Sequence, residues 1–161
     1  MTIMETTLQL QPIGKVVHEN GMFVIQIDEA FRPALTNLNG FSHLQIVWWG
    51  NQSDSPEMRQ QTMVEKPYKK GPDKLGLFAT RSPVRPNPVL ITTIEAINVD
   101  CKKGRISTWY IDACPGTPIL DIKPYHLSER VHNCHVPDWC SHWPQWYEES
   151  ATFDWPNEFN F

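Results

Sequence analysis

What the chain lacks narrows it first. No apolar run among its 161 residues approaches the length that crosses a bilayer, and the opening MTIMETTLQL has no basic segment leading into an apolar core. The expectation is a cytoplasmic protein with no membrane partner. Positive charge is also in short supply. Against 18 Asp and Glu stand 14 Lys and Arg, a net charge of -4, so the chain lacks the broad electrostatic footprint of a strong nucleic-acid binder. Any RNA contact would need a local patch. No G-x-G-x-x-G turn occurs, which disfavours a Rossmann sheet and removes the usual phosphate cradle. Repeats, heptads and βαβ alternation are absent as well. The four cysteines, Cys101, Cys114, Cys134 and Cys140, carry no export signal with them and read as free thiols at a cytosolic redox poise.

What is abundant is proline, 14 residues, and tryptophan, 7. The length suits one domain that folds without a metal or disulfide staple. PIGKVVH and MFVIQID, split by Glu19 and the turn pair Asn20-Gly21, predict a β-hairpin. The continuous apolar run Leu44 to Trp49 predicts a strand buried on both faces. Pro56 after Ser53, Asp54 and Ser55 predicts a short helix over about residues 56–64. VLITTIEAINVD and GRISTWYID read as two long strands of an antiparallel pair. Strand signals far outnumber helical ones, so the fold class is mainly β, a small closed or half-closed antiparallel barrel with a few short helices.

Two proline-punctuated segments draw the functional reading. In FATRSPVRPNP, Pro83, Pro86 and Pro88 fix their own φ and push Ser82, Arg85 and Asn87 into extended backbone. The result is a stiff rack of polar side chains whose ordering entropy is largely removed before binding. In GTPILDIKPY, Thr117, Asp121, Lys123 and Tyr125 bring a hydroxyl, a carboxylate, an ammonium and a phenol, with Lys123 also able to pair simply with Asp121. Loop closure without binding is the plainer alternative for both.

These two segments, separated by about thirty residues, resemble the signatures of the TrmO (TsaA-like, formerly YaeB or VirR-like) family, and the resemblance covers residues 12 to 131. It implies a non-Rossmann β-barrel domain over residues 1–131, a homodimer, and S-adenosylmethionine (SAM) as cofactor. It also implies methylation of the exocyclic nitrogen of threonylcarbamoyl-adenosine in tRNA. A pocket built from the two segments would use Phe78 as an apolar wall, with Thr80, Arg81, Ser82, Arg85, Asn87, Pro88, Thr117, Asp121 and Lys123 around the cofactor. Arg81 and Arg85 suit a carboxylate, and Asp121 an ammonium or a ribose hydroxyl. Asn87, Asp121 or Tyr125 would orient the attacking amine.

The chain departs from that pattern in places. Val89, Leu90 and Ile91 follow PNP where the family carries Ile, Gly and a small residue, Pro115 stands where it has Asp, and its downstream Pro-Arg-Gln loop is missing. A SAM-binding module without catalysis, or a methyltransferase for a smaller substrate, therefore stays open beside the tRNA enzyme. Lys66, Lys69, Lys70 and Lys74, with Tyr68 among them, form either a local tRNA patch or a solvated loop. Residues 132–161 read as a Trp-rich tail packing on the barrel. His132, Cys134, His135, Cys140 and His142 fall in it without a standard metal-ligand spacing, so no metal is assigned. Pro137 and Pro144 each suit a first helical turn, with Trp139, Trp143 and Trp146 on one apolar face.

Overall fold

The computed structural model describes residues 7–161. Among these the strands are Gly14–Glu19 (β1), Met22–Ile27 (β2), His43–Trp49 (β3), Met63–Glu65 (β4), Lys74–Gly76 (β5), Val89–Glu95 (β6), Asn98–Asp100 (β7), Arg105–Thr108 (β8) and Pro118–Pro124 (β9), with one α-helical turn, Pro56–Arg59 (α1). The chain divides into two compact units, Met1–Gln52 with Pro88–Ser128, and Ser53–Asn87 with Glu129–Phe161.

The first unit holds a seven-stranded antiparallel sheet in the order β6-β3-β9-β1-β2-β8-β7. Its hairpin β1–β2 turns at Asn20 (φ 52°) and Gly21 (φ 77°), the two positive φ values that an Asn-Gly turn of primed type requires. Inward-facing Val16, Ile25, Ile27, Leu44, Ile46, Ile94, Ile106 and Ile119 are essentially sealed from solvent and form one core with Leu35, Trp48 and Ile111. Burying each aliphatic side chain contributes about 1.5–3 kcal/mol, the main force holding the sheet.

Three expectations change here. β3 alternates: Leu44, Ile46 and Trp48 are buried, while His43, Gln45, Val47 and Trp49 are half-covered, so only one of its faces is sealed. The run from Val89 to Asp100 is not one strand. It bends at Ala96–Ile97, where the Ala96 N–H donates to Ser42 O (2.8 Å) and the Ile97 N–H to Ser107 O (2.9 Å). β6 therefore pairs with β3, and only β7 pairs with β8. The third change concerns closure. Among the described residues no ladder joins the outer strands β6 and β7, so a closed barrel is not found, while the mainly antiparallel β architecture with few helices stands.

The second unit contains the β4–β5 hairpin, α1 and the aromatic tail. α1 is capped by Ser55, whose Oγ accepts from the Met58 N–H at 3.2 Å, as the entry signature predicts. It stops at Arg59 rather than near residue 64. Its residues offer no buried face, and Met63 and Val64 are taken up by β4 instead. Replacing Ser55 with alanine should cost about 1 kcal/mol, read as a lower denaturant midpoint.

The tail forms 3-10 turns at Asp138–Cys140, Tyr147–Thr152 and Trp155–Asn157 rather than two helices. Pro137 stands just before the first turn rather than inside it, and the second starts three residues after Pro144. Trp139 and Trp143 meet edge to face at 5.5 Å, and both pack on Tyr68. The third member of the cluster is Trp155, 5.4 Å from Trp143, whereas Trp146 is exposed. Among the described residues no group of three or more His, Cys, Asp or Glu could hold a metal ion, and no helix is long and apolar enough to cross a membrane.

Candidate functional site

The proline loop is braced by its own side chains. Thr80, buried, donates its hydroxyl to Leu77 O at 2.7 Å and accepts from the Ser82 N–H at 3.2 Å. Ser82 Oγ in turn accepts from the Val84 N–H at 3.2 Å. Such hydroxyl-to-backbone turns stiffen a loop as proline does, by satisfying amides locally. Arg85 completes the brace: its Nη1 donates to Thr80 O (2.9 Å) and Ser82 O (3.1 Å), and its guanidinium lies 5.7 Å from the centre of the Phe78 ring. Phe78 is 80% exposed, which for a large apolar ring on a rigid loop leaves a face available to a ligand. Arg85 thus links Thr80, Ser82 and Phe78, and Arg81 and Asn87 are exposed on the same loop. The sequence reading credited the prolines with the stiffness and missed the Thr80–Ser82–Arg85 network.

β3 organises the second group of candidate residues. Its C-terminal end pairs on one side with β6, Trp49 opposite Val89, and on the other with β9, Trp48 opposite Ile119 and Val47 opposite Asp121, with a bulge between Val47 and Trp48. Pro88 is fully buried beside it, its carbonyl accepting from the Gly50 N–H at 2.8 Å. Gly50 also explains Leu90: a Cβ on Gly50 would come 2.8 Å from Leu90 Cδ1, so the absent side chain makes room for the leucine.

Registered pairs share a face, which sets Asp121, Lys123, Gln45, Val47, Trp49, Val89, Ile91 and Thr93 together on the side away from the core. Gln45, Val47 and Trp49 lie in the stretch that reads as one doubly buried strand, which hides their shared outward face from the sequence. Lys123 donates to Asp121 at 2.9 Å, and both side chains are at least half exposed. The hydrogen bond first, then the charge of Asp121, pushes the Lys123 ammonium above its ordinary pKa. Asp121 also accepts from the Ile122 N–H at 2.9 Å, which orients the carboxylate. Thr117 is buried, with its carbonyl accepting from the Val16 N–H at 3.0 Å. Tyr125 sits at the far end of β3, its N–H donating to His43 O at 3.0 Å. Its backbone is about 13 Å along the strand from that of Asp121.

The lysines named above all have neighbours of opposite or acceptor character. Lys66 donates to Gly71 O (2.9 Å) and pairs with Asp73 (3.3 Å), Lys74 stands 3.6 Å from Glu65, and Lys69 donates to Asn157 Oδ1 at 2.9 Å. Lys70 contributes its charge to Glu158.

Residues 6–129 match the family model of the tRNA-methyltransferase O N-terminal domain, TrmO_N. The chain belongs to the TrmO family. A probable S-adenosyl-L-methionine-binding protein of Halobacterium salinarum is 35% identical to this TrmO-family chain over 100 residues, covering 62% of it and 73% of the relative. The tRNA (adenine(37)-N6)-methyltransferase of Escherichia coli is 37% identical over 114 residues, 70% of this chain and 48% of that enzyme. The crystal structure of TrmO from Pseudomonas aeruginosa shares the fold, with a TM-score of 0.64 at 22% identity over 85% of this chain and 63% of that one. This TrmO-family chain thus spans about half of the E. coli relative and less than two thirds of the solved one.

One carboxylate in the tail is set apart by its surroundings. Glu158 is buried, with Oε2 2.8 Å from His142 Nε2 and 3.1 Å from the Trp143 Nε1 that donates to it. These hydrogen bonds, Trp143 first and then His142, hold its pKa below the ordinary carboxylate range, assisted by the charges of His142 and Lys70. A depressed folded-state pKa gives stability that is present above the unfolded value and lost as pH falls through the folded one. Tryptophan emission should therefore stay constant down to the ordinary carboxylate range and shift to the red only below it. In Glu158→Gln that acid step should disappear.

Proposed function

We propose that this protein is a SAM-dependent methyltransferase acting on an adenine amine of tRNA, in the manner implied by the name of its E. coli relative. The observation that carries the reading is the register at the end of β3, which sets Pro88–Val89 of one signature and Ile119–Asp121 of the other on either side of the same two tryptophans. In this reading Phe78, Thr80, Arg81, Ser82, Arg85, Asn87, Pro88, Thr117, Asp121 and Lys123 form the cofactor pocket. Arg81 takes the carboxylate of the methionine moiety and Arg85 fixes the loop that presents it. Asp121 takes the ammonium or a ribose hydroxyl, and Phe78 walls the apolar parts. SAM supplies the methyl group on its sulfonium. Asn87, Asp121 and Tyr125 are the candidates for orienting the acceptor amine and receiving its proton. The residues' task is otherwise to align the acceptor and exclude water, so preorganisation accounts for most of the rate.

Val89 and Ile91, both exposed on the outer strand β6, support a homodimer in which that edge meets a second copy. The bend at Ala96–Ile97, which joins the two outer strands, supports reading the sheet as a half-closed barrel with that bend as its seam. The lysine loop is the candidate tRNA contact, and a cytoplasmic location follows from that partner.

A SAM-binding module without transfer is the second reading, favoured by the missing Pro-Arg-Gln loop and by the archaeal relative's name. Calorimetry with SAM tests what the two share. Asp121→Asn should weaken binding about tenfold, on the scale of one charge-assisted hydrogen bond, and absence of SAM binding by the parent protein would sink both.

A further inference from the structure

The aromatic tail carries a groove made by none of the candidate SAM residues. It has a volume of about 520 Å³, within the roughly 300–1,000 Å³ of small-ligand sites, and His142, Trp143, Gln145, Glu149, Thr152 and Phe153 are among its lining residues. One carboxylate holds two of these walls. Glu158, buried, engages both His142 Nε2 (2.8 Å) and Trp143 Nε1 (3.1 Å). Burying a carboxylate costs desolvation energy, offset here by the bonds that fix those two rings in place. The opposite wall is pinned as well: Phe153 lies 6.5 Å from His142 and 4.8 Å from Trp155, whose Nε1 donates to Ser150 O at 3.0 Å. The groove is therefore set before a ligand arrives, and little ordering cost is left for binding.

Charge in the groove has one sign. Glu149 Oε2 accepts from the Gln145 N–H at 3.1 Å, and the Glu149 carbonyl accepts from the Thr152 hydroxyl at 3.3 Å, so the carboxylate is placed by its own turn with Oε1 left for a ligand. Among the described residues no Lys or Arg lines the groove, and none occurs in residues 131–161. Any charge on the His142 ring is matched by Glu158 bonded to it, and Lys70 acts on that same carboxylate. The uncompensated charge at the groove is thus that of Glu149, in the company of two aromatic rings. A cation answers both, through a charge-assisted hydrogen bond to the carboxylate and attraction to the negative ring faces. We propose that this groove binds a small organic cation, an ammonium or guanidinium ion, gripped by Glu149 and walled by Trp143 and Phe153. The site goes beyond methyl transfer and does not depend on it.

The test is an NMR titration of the nitrogen-labelled full chain, read at the indole N–H resonance of Trp143, which is assigned by its loss in Trp143→Phe. Spermidine serves as a free polyamine and Nα-acetyl-lysinamide as the end of a protein side chain. Each should shift the resonance saturably, and the tighter of the two identifies the source of the cation. Acetylating the second probe at Nε removes its charge and should abolish the shift. Glu149→Gln keeps an acceptor for the Gln145 N–H but loses the charge, and should weaken binding about fivefold, the scale of an exposed ion pair. Phe153→Leu should weaken it about threefold through the lost ring face. Glu148→Gln is the control, an exposed neighbour outside the groove that should bind as the parent does. Equal losses in Glu148→Gln and Glu149→Gln would overturn the site and leave only a diffuse attraction to an acidic tail. Unchanged affinity in both Glu149→Gln and Phe153→Leu, or no saturable shift of the parent protein with either probe, would overturn it too.

Discussion

Arg85→Ala is expected to weaken SAM binding by about 10- to 100-fold while leaving the fold of the sheet unchanged. The guanidinium does not stand free as a ligand grip; its Nη1 ties together the carbonyls of Thr80 and Ser82 and its plane rests near Phe78. Hydrogen bonds to a charged group each contribute about 1.5–3 kcal/mol, and tenfold in affinity is about 1.4 kcal/mol. Loss of the brace would let the loop sample many conformations, so part of that energy returns as an ordering cost on binding. Lysine keeps the charge but not the planar stack, and Arg85→Lys should fall between parent and alanine. Calorimetry reads the affinity, and an unchanged dissociation constant in Arg85→Ala would remove the loop from the site.

The second large effect is on stability. Gly14 pairs with Ile27 of β2 on one side and Ile119 of β9 on the other, within the sheet. A Cβ there would lie 2.1 Å from Gln26 O and 3.0 Å from Ile27 Cα, both rigid backbone, so β1 would have to part from β2. Gly14→Ala should lose about 4 kcal/mol or more, in the range that marks a broken core contact rather than a surface change. Gly40→Ala is the matched control, because a Cβ there meets nothing within 4 Å. Chemical denaturation of the two proteins side by side checks the pair. Similar midpoints would show that the sheet accommodates the methyl group at Gly14.

Much of the architecture is legible in local residue patterns, and the exceptions share a cause. The β1–β2 hairpin could be read because Asn20-Gly21 states its turn type in two residues, and the Ser55 cap because its acceptor is three residues from its donor. The bend at Ala96–Ile97 could not, since nothing in its composition marks where one strand changes partners; the hydrogen bonds to Ser42 and Ser107 decide that from far along the chain. Trp146 and Trp155 exchanged places for a similar reason. The first falls at the expected spacing but outside the cluster, while the second is carried in by the turn at residues 155–157. The candidate residues follow the same division. Their two proline segments are visible as composition, but the bracing role of Arg85 and the company of Gln45, Val47 and Trp49 around Asp121 depend on loop closure and strand register.

The central claim is methyl transfer, and the most direct measurement is to incubate the purified full chain with methyl-labelled SAM and unmodified or undermodified total tRNA, digest the RNA, and separate its nucleosides. The account predicts label in an N6-methylated adenosine derivative, lost in Arg85→Ala at limiting SAM and in Asp121→Asn. SAM bound with the expected affinity but no label in any nucleoside would contradict it, and would leave a SAM-binding module in place of the enzyme.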